Sequence, residues 1–179
     1  MNEDLVAAVV RRVLEEMDRA RAPVRAALPA DWPPRRVALG ADHGGFELKE
    51  DLKRFVTAKG LTVVDCGTAD RESCDYPDFA ARVAGQVRDG RCEAGIVVDS
   101  AGIGSSIAAN KVRGVRCAVC HDVASVLNSR EHNDANVLAL GAKVVPAALA
   151  RRMVALWLAT AHGGDRHLRR VRKIAELER

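Results

Sequence analysis

Gly40-Ala41-Asp42-His43-Gly44-Gly45 places an acid and an imidazole among small residues, directly after an apolar run. Small residues let the backbone approach a ligand, and an Asp–His pair can hydrogen-bond a sugar hydroxyl or a phosphate. Asp42 acting only as a helix cap is the equal alternative. The pattern is not GxGxxG and no ribose-binding acid stands at the expected distance, so a nicotinamide cofactor is set aside. Asp99-Ser100-Ala101-Gly102-Ile103-Gly104-Ser105-Ser106 carries a Gly-x-Gly turn into a helical stretch. Backbone N–H groups at such a turn can hold a phosphate, or the enediolate oxygen that forms when a proton leaves the carbon beside a carbonyl. Asp99 stands where a carboxylate could be the base, although Asp99 or Ser100 could equally cap the turn.

Two further segments carry titratable or cationic groups. In Glu131-His132-Asn133-Asp134, His132 could pass a proton to a sugar ring oxygen, since its reference pKa lies near neutrality. A structural turn is the ordinary alternative for such a loop. In Asp165-Arg166-His167-Leu168-Arg169-Arg170, Arg166 and Arg170 are four apart and share a helix face. Two guanidinium groups there could grip a phosphate, against the plainer reading of a solvated face.

The elements that must position these loops alternate from Arg35 onward. Val37 to Leu39, Leu61 to Val64, Gly95 to Val98, Val115 to Val119 and Val137 to Leu140 read as buried strands. Helical patterns cover Phe46 to Lys59, Pro77 to Arg88, Ser105 to Lys111 and Val123 to Arg130, followed by about 146–160 and 165–178. Leu48, Leu52, Phe55 and Val56 form the stripe of a helix lying on a sheet. Strict alternation predicts a doubly wound, Rossmann-like α/β domain with a five-stranded parallel sheet, its ligand site at the carboxyl ends of the strands.

At 179 residues the chain allows one ordinary domain plus an extension. Aromatics make up only 3% of it, which argues against a base-stacking surface, and no recognition motif accompanies the basic C-terminal stretch, so nucleic-acid binding is not expected. The five cysteines have no regular spacing and no secretory signal or membrane span is seen, so the thiols are read as reduced and the protein as cytoplasmic. Cys117 and Cys120 lie three apart in a strand and should face opposite ways, against a metal or redox pair.

Residues 1–20 differ in kind. Leu5, Val6, Val9, Val10, Val13, Leu14 and Met17 make one apolar stripe, and a Pro-rich stretch, 21–34, follows it. This predicts an amphipathic helix on a linker, with the domain at 35–179. The stripe must cover the core, a neighbouring subunit or another protein. Deleting 1–34 is expected to leave the core folded and active.

GADHGGFELK, DCGT followed by DYPDFA, AGIGSSIAANKV, SREHNDANVLALG and GDRHLRRV occur in an order and spacing that resemble the ribose-5-phosphate isomerase type B family, which includes the galactose-6-phosphate isomerase subunits. The resemblance implies aldose–ketose isomerisation of a sugar phosphate, without metal or organic cofactor, in a homodimer or dimer of dimers with shared sites. It further implies that Asp42 and His43 bind the sugar, that Tyr76 lines the pocket, and that amides from Ser100 through Gly102, Ile103 and Gly104 to Ser105 hold the enediolate. His132 would open the ring and Asn133 contact the substrate, both across the dimer interface. Arg166, Arg170 and Lys143 would bind phosphate. One position departs: many relatives have a catalytic cysteine where this chain has Asp99, and another branch uses a glutamate where it has Ser105. Asp99 is therefore expected to be the base, with partial burial raising its pKa. The rival is a substrate-shifted or non-catalytic subunit. The extension resembles an encapsulation peptide, which implies a microcompartment shell protein as partner; a swapped dimer arm or an extra core helix are the alternatives.

Overall fold

The computed structural model describes residues 32–178. The amphipathic helix expected over 1–20, and most of the linker after it, lie outside the described residues. Five strands form the expected sheet: β1 Arg36–Ala41, β2 Thr62–Asp65, β3 Ala94–Asp99, β4 Cys117–Val119 and β5 Val137–Gly141. All neighbours pair in parallel, in the order β2-β1-β3-β5-β4. Between and after them run α1 Phe46–Ala58, α2 Tyr76–Arg88, α3 Ile103–Ala109, α4 Val123–Glu131, α5 Ala147–Ala159 and α6 Asp165–Glu176.

The sheet is buried on both faces, so its central strands are continuous apolar runs rather than alternating ones. Along β3, Ala94, Ile96 and Val98 join the layer beneath α1, α4 and α5, where Leu52, Val126, Met153 and Trp157 are fully buried. Val97 faces the other layer, where α2 contributes Ala80, Val83 and Ala84 and α3 contributes Ala109. Removing a Leu or Val from water in this way contributes about 1.5–3 kcal/mol per side chain. Cys120 belongs to the first layer and Cys117 packs on the second, so this pair does point to opposite faces.

Local chemistry sets the boundaries. Pro77 occupies the first turn of α2, where a missing N–H costs nothing. Asp122 and Ser125 form a reciprocal capping box that starts α4. The turn into α3 is tighter than expected, and the helix begins at Ile103 rather than Ser105. Gly102 makes this possible: its φ of 81° is left-handed, and a Cβ there would lie 2.9 Å from the carbonyl carbon of Leu140.

The core also reaches further back than the Pro-rich composition suggests. Trp32 packs against the first layer, edge-on to Trp157 with centroids 5.3 Å apart, and Pro34 is buried. Packed structure thus begins before the expected boundary at residue 35. A chain lacking residues 1–31 should melt like its parent. Deleting 1–34, which removes Trp32, should cost about 1–2 kcal/mol and lower the midpoint by roughly 2–8 °C in a calorimetric scan; identical midpoints for the two deletions would return Trp32 to the linker.

Candidate active site

Parallel strands deliver their following loops to one edge of the sheet, and the loops after β1, β2, β3 and β5 meet there. After β1, Asp42 is buried, and its Oδ1 accepts the Gly45 amide at 3.0 Å, capping the short helical turn His43–Gly45. The next residue, His43, lies against the loop that follows β2: its Nδ1 is 3.2 Å from both the backbone N and the backbone O of Cys74. One ring nitrogen is therefore anchored in either tautomer, and Nε2 is left for a ligand. Tyr76, at the start of α2, rests its ring on Gly104, where a Cβ would come within 2.6 Å of ring carbons. The loop after β5 closes the group: Ala142 and Lys143 donate their amides to the carbonyls of Asp99 and Ser100 at 2.8 and 3.0 Å. Lys143 itself is exposed beside them.

Asp99 ends β3 and folds back into its own loop. Its Oδ1 accepts the amides of Ala101 (2.8 Å) and Gly102, and its Oδ2 accepts that of Ser105 (2.9 Å). The residue is 5% exposed. Burial alone would push the carboxyl up, but hydrogen bonds from the Ser105 hydroxyl and from the amides of Ser105, Gly102 and Ala101 outweigh it and hold the pKa below the usual carboxylate range. The expected upward shift is thereby corrected. Asp99 is a firmly ionised group at neutral pH, and it uses three of the amides that the resemblance assigns to an enediolate.

The second group of expected residues assembles elsewhere. His132 caps the end of α4, and α4 runs back from the carboxyl ends of the strands to their amino ends. Just past it, Asn136 donates to the Arg116 carbonyl ahead of β4 and accepts the Gly95 amide at the start of β3. Within one chain, therefore, His132 and Asn133 lie at the opposite edge of the sheet from Asp99. β5 alone is five residues long, roughly 15 Å at about 3.3 Å per residue.

At that edge the residues form a connected set. The Asn128 amide nitrogen donates to His132 Nδ1 at 2.8 Å, which leaves the proton of the neutral ring on Nε2. The Asn133 amide donates to Asn128 Oδ1 at 3.1 Å, fixing which way Asn128 points. His167 stacks on His132 with centroids 4.1 Å apart, and its Nε2 accepts from Arg166 Nε at 3.0 Å. Desolvation first, then electrostatic repulsion from the neighbouring His132, Arg166, Arg170 and His162 side chains, holds His167 below the usual imidazole range. A neutral ring is what that contact with Arg166 requires. Arg166 and Arg170 are exposed on α6.

Asn128 and His167 were not anticipated. Asn128 carried a signal, being four residues before His132 in a helix; His167 carried only its adjacency to Arg166. Among the described residues no group of three or more His, Cys, Asp or Glu side chains could hold a metal ion, and no helix is long and apolar enough to cross a membrane.

An open, all-parallel, doubly wound sheet with polar loops converging at the strand tips defines an α/β protein of the ligand-binding, enzyme-bearing kind. The particular family follows from comparison. Residues 37–174 match the model described as Ribose/Galactose Isomerase, and the chain belongs to that family of isomerases. It is 42% identical over 144 residues to ribose-5-phosphate isomerase B of Escherichia coli, covering 80% of this chain and 97% of that one. It is 38% identical over 143 residues to D-erythrulose-4-phosphate isomerase of Pectobacterium atrosepticum, covering 79% and 94%. The solved structure of Clostridium thermocellum ribose-5-phosphate isomerase B superposes with a TM-score of 0.79 at 49% identity, covering 80% and 97%.

Because the folded pKa of Asp99 is depressed, its stabilising effect is complete above the ordinary value near 3.9 and is lost as pH falls through the lower folded value. Asp99→Asn turns one acceptor into a donor facing buried amides and should cost about 1–3 kcal/mol at pH 7. Urea denaturation from pH 7 to 3 should show that deficit constant down to about pH 5 and shrinking below about pH 4. A deficit independent of pH would mean the contacts are not ionic.

Proposed function

We propose that this chain interconverts an aldose phosphate and a ketose phosphate, with ribose 5-phosphate and ribulose 5-phosphate as the leading pair, in a dimer whose sites are shared. The observation that carries the reading is the split, between two edges of a single sheet, of the residues that the family resemblance assigns to one site. A second copy that sets its His132 edge against the Asp99 edge would complete each site. Support comes from α3, which leaves Ile103 and Ile107, one helical turn apart, 54% and 57% exposed beside the Asp99 loop, with Val144 nearby at 51%. Apolar side chains of this size at a site's rim suit burial against another subunit.

The chemistry runs as proton transfers between named groups. His132 gives its Nε2 proton to the furanose ring oxygen as the bond from C1 to that oxygen breaks. Asp42 takes the anomeric hydroxyl proton and passes it back to His132, and the open-chain aldehyde results. Asp99 then takes the C2 proton. The negative charge leaves the carboxylate as it is protonated and appears on the substrate oxygen, so the loop amides face one unit of charge throughout. The amides of Ser100, Ile103 and Gly104, which Asp99 does not use, supply further donors to the enediolate. The O2 proton passes to O1, and the proton held by Asp99 returns at C1, which leaves a carbonyl at C2 and a hydroxyl at C1 and gives the ketose. Arg166, Arg170, Lys143 and His43 hold the phosphate, which fixes the far end of the substrate and lowers the entropy cost of alignment. Tyr76 and Asn133 contact the sugar.

The contacts of Asp99 also favour a second reading. A carboxylate with a lowered pKa is a weak base, and a charge already held by the loop amides opposes a second one. On that reading the chain is a substrate-shifted or non-catalytic subunit. The erythrulose phosphate named for one relative is an example of another substrate within the family. We also propose that residues 1–20 act as an encapsulation peptide for a bacterial microcompartment shell protein, which rests on their sequence stripe. Fused to a fluorescent reporter, residues 1–31 should carry it into shells when shell proteins are co-expressed; a diffuse reporter would count against this.

A coupled assay with ribose 5-phosphate tests the main reading. Asp99→Asn should lower kcat by roughly a hundredfold or more, as removal of a general base does. Asp99→Cys, which places a thiol there, should remain active. If the parent is inert and Asp99→Cys is active, the second reading holds. Inactive Asp99→Asn and His132→Asn chains, refolded together, should recover about a quarter of parental activity, since half the dimers would then carry one intact shared site. No recovery on mixing would place each site within one chain.

A further inference from the structure

Arg130 is a buried cation two residues before His132, with 1% of its side chain exposed. Its Nη1 donates to Asp134 Oδ1 at 2.9 Å and to the Ala135 carbonyl at 2.7 Å, and its Nε donates to the Thr160 carbonyl at 3.2 Å. The other carboxylate oxygen of Asp134 accepts from Arg116 Nη2 at 2.8 Å. Asp134 takes a left-handed φ of 47°, a conformation a non-glycine residue holds only when its surroundings enforce it. The chain turns there from α4 toward β5, and His132 and Asn133 are the residues presented on that turn. Arg130 and Asp134 thus clamp the loop from beneath.

The flat face of the guanidinium is covered by Trp32. The Cζ of Arg130 lies 3.5 Å from the Trp32 ring centroid and 5.9 Å from that of Trp157, the two indoles meeting edge to face. A delocalised guanidinium suits an aromatic face, and the ring excludes water that would otherwise compete for its hydrogen bonds. Trp32 Nε1 has no hydrogen-bond partner, so the indole acts through its ring alone. Trp32 lies in the Pro-rich stretch that joins the apolar N-terminal stripe to the first strand.

We infer that Trp32 is a positioning residue: by covering Arg130 it fixes Asp134 and hence the His132–Asn133 loop, and it couples the end of the N-terminal segment to the site. This rests on the reading that His132 acts on substrate, but the coupling itself can be observed without turnover. In the full-length chain, the imidazole Cε1–H signals of the five histidines can be followed by NMR, His132 being assigned by its loss in His132→Asn. Trp32→Ala should displace the His132 and His167 signals, whereas Trp32→Phe, which keeps an aromatic face, should leave both at the parental positions. With ribose 5-phosphate, and well below each melting midpoint, Trp32→Ala should lose roughly tenfold or more in kcat, with KM within about twofold, and Trp32→Phe should recover it. An unmoved His132 signal in Trp32→Ala, or equal displacement in both variants, would overturn the inference. A parent without turnover whose His132 signal moves in Trp32→Ala and returns in Trp32→Phe would leave the coupling standing and remove the isomerase reading instead.

Discussion

The amides at the turn after β3 can answer only a limited amount of negative charge, and in the resting molecule Asp99 supplies it. Two oxygens gather three backbone donors from a stretch of seven residues, and the result is a turn whose shape is fixed before any ligand arrives. The left-handed Gly102, the early start of α3 and the close approach of β5 all accompany that closure. Preorganised donors help a reaction because they need not reorganise as charge develops. Here the preorganising group is itself an anion. It can share the turn with an enediolate only by giving up its charge, and accepting a carbon-bound proton is one way of doing so.

The handedness of the fold then decides what one chain can and cannot assemble. A strand followed by a helix returns the chain to the amino edge of a parallel sheet, so residues just after a strand and residues just after a helix are kept apart. Asp42 and Lys143 follow strands and Asp99 ends one; His132 and Asn133 follow α4. Arg166 and Arg170 lie on α6, whose His167 stacks on His132. The residues proposed for the site, divided in this way, have either two unrelated structural roles or a second chain to join them. The exposed isoleucines of α3, on the Asp99 side of the division, are costly to leave in water and favour the second chain.

Most of the architecture was readable because the physics behind it is local or periodic. The run Ala94–Asp99 is buried on both faces and can hardly be anything but a central strand. The stripe Leu48, Leu52, Phe55, Val56 admits one orientation on a sheet. Residue types at the site were readable too, but their electrostatics were not. Nothing in the string Asp-Ser-Ala-Gly says how many amides will turn toward the acid, so the direction of the Asp99 shift was misjudged from burial alone. The His132–His167 stack and the Trp32–Arg130 contact join residues far apart in the chain and obey no period. Trp32 in particular sits among prolines, where composition points to a linker, and only its distant partner reveals that it belongs to the core.

Buried charges elsewhere follow one rule, and Arg130 shows why it matters. Lys49 is also buried, tied to Asp65 and the Thr68 carbonyl, and it steadies the loop after β2 that holds His43 through Cys74. Arg130 steadies the loop that bears His132. In each case a long cation spans from a helix to a loop, satisfied by a carboxylate and by carbonyls, with aromatic carbon above it: Phe46 near Lys49 and Trp32 over Arg130. Replacing such a cation with an apolar residue could preserve packing but would free the loop's polar groups, which is where specificity of geometry resides. The difference between the two is in what covers them. Phe46 belongs to the helix that carries Lys49, whereas Trp32 comes from outside the repeating strand-and-helix pattern. The loop bearing His132 is therefore braced, through Arg130, by a residue from outside the strand-and-helix repeat.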